Sequence, residues 1–183
     1  MKKIKKIIYP ISLLGVLIWA YINLYGNFHK IDNDVYRSGQ LNSVNMPIYI
    51  HTLHLKSILN LRGKSPDAWY LMEKQIAQEN NVSLLSFKIS SRDYYDFNQT
   101  SALVSIIKNA PKPLLIHCLG GADRTSLASA LYVYSVKHAP ESIAKEQLSW
   151  YYGHVPIIRP YVTAMDKSFE NFVHHSQLKN IQE

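Results

Sequence analysis

The stretch Leu114-Leu115-Ile116-His117-Cys118-Leu119-Gly120-Gly121-Ala122-Asp123-Arg124-Thr125 decides how the rest of the chain is read. Leu114 to Ile116 has the composition of a short buried strand, and Ser126 to Val136, with Leu127, Ala128, Ala130, Leu131, Val133 and Tyr134, has the spacing of a packed helix. The segment between them therefore sits on a helix N-terminus. Unpaired amides and the positive end of the helix dipole attract an anion there, and they favour a thiolate over a thiol. Gly120 and Gly121 allow the backbone to turn its amides inward. The chain's single cysteine opens this segment and Arg124 closes it. The pattern predicts a phosphate-binding loop, Leu119, Gly120, Gly121, Ala122, Asp123 and Arg124, that carries Cys118 as a nucleophile.

These residues resemble the loop of the protein tyrosine phosphatase superfamily, which reads His-Cys, two residues, Gly, two residues, Arg and then Ser or Thr. His117, Cys118, Gly121, Arg124 and Thr125 fall on that pattern, and Ser126 departs from it, standing where the family usually has Gly. The likeness covers roughly the part of the chain after the N-terminal apolar run and is closest to the small dual-specificity-like phosphatases. Val35-Tyr36-Arg37-Ser38-Gly39-Gln40 resembles the Tyr-Arg-Ser-Gly-Gln opening of a bacterial branch, with a purely structural role as the other reading. The resemblance implies hydrolysis of phosphomonoesters through a phosphocysteine at Cys118, with no cofactor and no metal. Arg124 offers two phosphate oxygens a planar pair of donors that a lysine cannot match. His117 would orient the loop, and Thr125 would hydrogen-bond the sulfur and ease its departure. Asp123 fits no required role, and its charge argues against a highly phosphorylated substrate.

A proton for the leaving alkoxide must come from elsewhere. Ser90-Ser91-Arg92-Asp93-Tyr94-Tyr95-Asp96 lies where dual-specificity-like phosphatases carry the acid. Asp96 stands three residues before Gln99 at a helix start, the pattern of a capping box, so structure alone explains it. Asp93 has no such explanation and is the preferred general acid, with Asp96 as the alternative. Arg62 ends the buried run Lys56 to Leu61, at the carboxyl end of a strand, where open α/β sheets place their ligands; a supporting role is favoured.

The remaining pattern alternates strands and helices. Helices are expected over Met46 to Leu55, from Ser65-Pro66-Asp67 to about Glu79, over Phe97 to Asn109, over Glu141 to Tyr152 and over Pro160 to Gln177. Strands are expected from Val35, over Lys56 to Leu61 and over Val82 to Ile89. This predicts an α/β fold with a parallel-rich central sheet flanked by helices. Trp150, Tyr151, Phe169 and Phe172 are expected to pack in the core or in a lid, and His174-His175 to be solvated.

Ahead of this domain, Lys2, Lys3, Lys5 and Lys6 precede Ile7 to Tyr25, a run with no charged side chain. It just reaches the length of about 20 residues that crosses a bilayer, and Trp19, Tyr21 and Tyr25 suit the far boundary. A cleaved signal peptide would have small residues at its cleavage site, whereas the chain after Leu17 offers bulky ones. The reading is therefore residues 1–25 as a membrane anchor, 26–34 as a polar linker and 35–183 as the catalytic domain. The lysines keep their end cytoplasmic, which puts the domain outside the cytoplasm, in the periplasm of a Gram-negative cell. A lone cysteine suits that oxidising place, having no internal partner. The formal net charge is +7, but the four N-terminal lysines supply four of it, a poor basis for nucleic-acid binding. No Cys/His cluster has zinc-ligand spacing. The expected substrate is a phosphorylated protein or a membrane lipid phosphate. The competing classes are a catalytically silent phosphate-binding module and another cysteine-loop enzyme, such as a sulfurtransferase or arsenate reductase.

Overall fold

A computed structural model describes residues 26–182. The expected anchor, residues 1–25 with its span at 7–25, lies outside the described residues. Among those described, no helix is long and apolar enough to cross a membrane.

Five strands form one sheet: β1 (His29–Asp32), β2 (Val35–Ser38), β3 (Ser57–Asn60), β4 (Ser83–Ser86) and β5 (Leu114–His117). Their order is β1-β2-β5-β3-β4. The β1 and β2 pair is antiparallel, and the other three pairings are parallel. Strand β5 is central. Its register sets Ser38 of β2 and Asn60 of β3 on either side of His117, so three strands end together where the loop after β5 begins.

The parallel sheet is buried on both faces, as such sheets require. Leu59, Leu114 and Ile116 pack into one core with Leu103 and Ile107 of α3 (Phe97–Asn109), Leu127 and Leu131 of α4 (Asp123–Ser135), and Phe169 and Val173 of α6 (Thr163–Gln182). Ile58 and Leu115 point the other way, into a second core with Met46 and Ile50 of α1 (Asn45–Thr52) and Ala77 of α2 (Ala68–Glu79). The expected α/β class and parallel-rich sheet are what the structure shows.

Three expectations are corrected. Residues 26–34 are not a free linker: His29–Asp32 pairs with β2, and Tyr132 and Lys137 reach its end through Asp32, at 2.9 and 2.7 Å. The helix expected over Glu141 to Tyr152 stops early. Helix α5 covers Glu141–Lys145, and 3-10 turns at Trp150–Tyr152 and Pro160–Val162 flank an irregular segment before α6. Phe169 and Phe172 are buried as expected, but Trp150 and Tyr151 are 79% and 61% exposed. His174 and His175 are exposed, as expected.

Candidate active site

The segment between β5 and α4 is shaped by its neighbours, which hold its carbonyl oxygens one after another. His117 Nδ1 lies 3.1 Å from the Cys118 carbonyl. Gln40 N donates to Leu119 O at 2.9 Å, Asn27 Nδ2 to Gly120 O at 3.0 Å, and Arg37 Nη2 to Gly121 O at 2.9 Å. With these four carbonyls turned to the scaffold, the amides of residues 119–124 have no hydrogen-bond partner among the described residues. A run of unpartnered amides at the start of α4 has the geometry of a nest, the backbone arrangement that attracts anions.

Gly121 makes the turn. Its φ is +67°, and a Cβ there would lie 2.5 Å from Gly39 N and 2.7 Å from the Ser38 carbonyl carbon. Only glycine tolerates both the angle and the approach. Gly120 faces open space. Gly39 presses on the loop from β2, with Leu119 O 3.0 Å from where its Cβ would be.

Arg37 is fully buried beneath the loop. Besides Gly121 O, it donates to Ser126 Oγ at 2.8 Å and to Gln147 Oε1 at 2.9 Å, and its guanidinium lies 3.7 Å from the centre of the Tyr152 ring. Burial pulls its pKa down to about 10, against the opposing pull of Tyr152 and Cys118, so it stays charged at neutral pH. Ser126, the departure from the family loop, thus supplies an acceptor that glycine lacks. Tyr36-Arg37-Ser38-Gly39-Gln40 is in this sense a support for the loop.

Cys118 lies on the floor of a pocket of ≈ 260 Å³, with Arg124, Arg159, Tyr161 and Ser91 among its walls. The Cys118 side chain is buried, and Arg124 is half-buried with a single hydrogen bond, from Nη1 to Ile89 O at 3.4 Å. The other donors of its guanidinium are uncommitted among the described residues. Thr125 Oγ1 donates to Ser38 O at 3.5 Å, the limit of a hydrogen bond. His117 is held from below: Nε2 lies 2.5 Å from buried Glu73 Oε1. Glu73 Oε2 also accepts from Asn60 Nδ2 at 2.9 Å.

Arg62 donates to Gln40 Oε1 at 2.8 Å and stacks 3.5 Å from the Trp69 ring centre. Burial and the neighbouring Arg124 lower its pKa, while Glu73, Cys118 and Asp67 raise it. It therefore stands within electrostatic reach of Cys118, tied to the element that supports the loop.

The segment 90–96 is fixed at both ends. Ser90 N donates to Tyr95 Oη at 2.7 Å, and Tyr95 N donates to Ser168 Oγ at 2.9 Å. Asp96 makes the capping box with Gln99: Gln99 N reaches Asp96 Oδ1 at 2.9 Å, and Asp96 N reaches Gln99 Oε1 at 3.0 Å. Asp93 is exposed, two residues from Ser91 in the pocket wall, and its carboxylate has no partner among the described residues.

Asp123 has a role the sequence did not disclose. Its carboxylate takes two bonds from Arg159, at 2.9 and 3.3 Å, and lies 2.9 Å from His154 Nδ1. His154 Nε2 lies 3.0 Å from Asp166 Oδ2. Burial works against a charged His154, but the bonds to Asp123 and Asp166 outweigh it and hold its pKa up to about 9. Two carboxylates and two cations therefore offset one another, so Asp123 does not make the pocket acidic. With its charge offset in this way, Asp123 does not weigh against a phosphate-rich substrate. Arg159, His154 and Tyr161 escape a sequence reading because about 30 residues separate them from the loop and no spacing rule links them to it.

No group of three or more His, Cys, Asp or Glu among the described residues is arranged to hold a metal ion. The tyrosine phosphatase family matches residues 24–131. Inositol diphosphatase DSP4 of Arabidopsis thaliana is 30% identical over 104 residues, which is 54% of this chain and 50% of that protein. The chain thus spans about half the length of the curated relatives it matches. P. aeruginosa TpbA superposes with a TM-score of 0.57 at 22% identity, over 80% of this chain and 91% of the other. The core catalytic domain of the PP-IP phosphatase SIW14 from S. cerevisiae gives 0.61 at 18%, over 84% and 92%. At these identities the structural likeness speaks for the fold.

Proposed function

The chain belongs to the tyrosine phosphatase family, and we propose that it is a cysteine-dependent phosphomonoester hydrolase anchored in a membrane by residues 7–25, with its catalytic domain outside the cytoplasm. The observation that carries the chemistry is the loop from Cys118 to Arg124: four carbonyls turned outward, unpartnered amides, and an arginine with free donors above a buried thiol.

The phosphoryl oxygens of the substrate rest on the loop amides and on the Arg124 guanidinium, which together offset the charge that develops as the phosphorus–oxygen bond breaks. The Cys118 thiolate attacks in line and forms the sulfur–phosphorus bond. The leaving alkoxide takes its proton from Asp93, which suits that step because its carboxylate is exposed and unpaired while Asp96 is occupied by its cap. In the second step Asp93, now ionised, takes a proton from water as the water oxygen attacks phosphorus. Inorganic phosphate and the thiolate are released. Arg37, His117 and Arg62 support the loop and touch no reacting atom.

The substrate is a phosphoprotein or a lipid head-group phosphate. The name of the Arabidopsis relative adds phosphorylated inositols to the classes worth assaying, and Arg124 and Arg159 in the pocket wall, with Arg62 within electrostatic reach of Cys118, are compatible with them.

The test is release of phosphate by the full-length protein in detergent with chelator present, using phosphotyrosine peptide and lipid phosphates as substrates. Activity is expected without added metal and is lost in Cys118→Ser. Turnover that survives that substitution, or that requires a divalent cation, overturns the cysteine mechanism. A reporter fused after Glu183 tests the orientation, and a cytoplasmic signal from it refutes the topology.

A further inference from the structure

The segment between α5 and α6 is inside out. Its polar residues are held against the domain: His154 is buried between Asp123 and Asp166, and Arg159 is paired with Asp123. Its large apolar residues are turned to the outside. Ile157 is 95% exposed, Trp150 79% and Ile158 77%, the three highest values for large apolar side chains among the described residues. Tyr151 adjoins them, and Leu119 and Tyr161 on the pocket wall are exposed as well. A soluble surface rarely gathers so much apolar area in one place unless something covers it.

The chain itself indicates what covers it. Residues 7–25 form an uncharged apolar run that ends directly before Gly26. Gly26 O accepts Gly39 N at 2.6 Å, and Asn27 Nδ2 donates both to Gly120 O in the loop and to Tyr152 O, each at 3.0 Å. The ring of His29 lies 5.2 Å from that of Tyr151. One residue spans at most about 3.6 Å, so no slack separates the end of that run from the catalytic loop or from the apolar segment. Trp and Tyr beside the end of a spanning run are the residues that favour the bilayer interface, and the exposed Ile pair supplies apolar surface to bury below it. The exposed guanidinium of Arg92, 4.8 Å from the Tyr161 ring centre, adds a cation suited to head-group phosphates.

We propose that Trp150, Tyr151, Ile157 and Ile158 dock into the membrane interface and hold the mouth of the pocket against it, so that the enzyme acts on a phosphomonoester carried by a lipid head group. This rests on the anchored-phosphatase reading above. It assigns a surface to the membrane and chooses lipid over protein as the substrate.

The experiment uses full-length protein reconstituted in phosphatidylcholine vesicles. The vesicles carry phosphatidic acid or a phosphatidylinositol monophosphate, and a soluble phosphotyrosine peptide is assayed in parallel. Trp150→Ser/Ile157→Ser/Ile158→Ser is expected to lower hydrolysis of the lipid by about tenfold or more while peptide hydrolysis stays within about twofold. Equal loss on both substrates, no loss on the lipid, or a wild type that hydrolyses only the peptide overturns the proposal. Docking is read separately from turnover in the Cys118→Ser protein, from quenching by brominated phosphatidylcholine with and without Trp150→Phe. Quenching assignable to Trp150 is expected, and its absence overturns the docking surface. Loss of the cysteine mechanism alone leaves this measurement unchanged.

Discussion

The cluster of Asp123, His154, Asp166 and Arg159 makes the grip on the catalytic loop dependent on pH in a calculable direction. His154 has its pKa raised from the ordinary 6.5 to about 9, so its protonated form is the one the fold favours. The stabilisation is therefore fully present below about pH 6.5 and is lost as pH rises through 9. At ~1.4 kcal/mol per pH unit, the interval corresponds to at most about 3.5 kcal/mol. The perturbation is His154→Gln, which keeps a hydrogen bond to a carboxylate and removes the charge. Urea unfolding of wild type and variant in detergent, followed between pH 6 and 10, gives the stability difference, in which groups common to both proteins cancel. Wild type should lead by about 2–3 kcal/mol at pH 6 to 7, and the lead should shrink towards zero near pH 10. A lead that is constant across this range, or that grows with pH, refutes the assignment of charge to His154.

Gly121→Ala forces a side chain onto φ +67° and within 2.5 Å of Gly39 N; a loss of about 3 kcal/mol in thermal or urea unfolding is expected, along with at least a hundredfold loss of phosphate release. Asp93→Asn should slow hydrolysis of an alkyl phosphate by about 10²-fold, with a smaller effect on an aryl phosphate whose leaving group needs no proton. Asp96→Asn should keep most of its cap and both activities; if it alone slows the alkyl substrate, the acid has been misassigned. Arg37→Leu leaves the Gly121 carbonyl, Ser126 and Gln147 without their donor, and should cost about 2–4 kcal/mol in unfolding free energy.

Much of the sheet is legible in the sequence because its strands are apolar on both faces. Ile58-Leu59 and Leu114-Leu115-Ile116 read as buried before any partner is known, and Phe97–Asn109 announces both its cap and its end. Strand β1 is not legible. His29-Lys30-Ile31-Asp32 is an edge strand with one apolar residue, and only its pairing with β2 makes it a strand. Cys118 and Arg124 stand out because loop chemistry restricts both the residue types and the gap between them. Arg37, Glu73 and Arg159 act across the fold, from segments whose distance in sequence says nothing of their distance in space. Trp150 and Tyr151 mislead because aromatic side chains are buried more often than not, and nothing local in the sequence marks the turn at Trp150–Tyr152 as one whose rings face outward.

Arg37, Gln40 and Asn27 settle in advance what the catalytic loop costs to use. Because each carbonyl from Cys118 to Gly121 already has its contact, the orientation of the amides is decided when the chain folds rather than when a substrate arrives. An arriving phosphate need not order the backbone around itself, and its affinity is spared the conformational entropy that a flexible loop of the same sequence would give up.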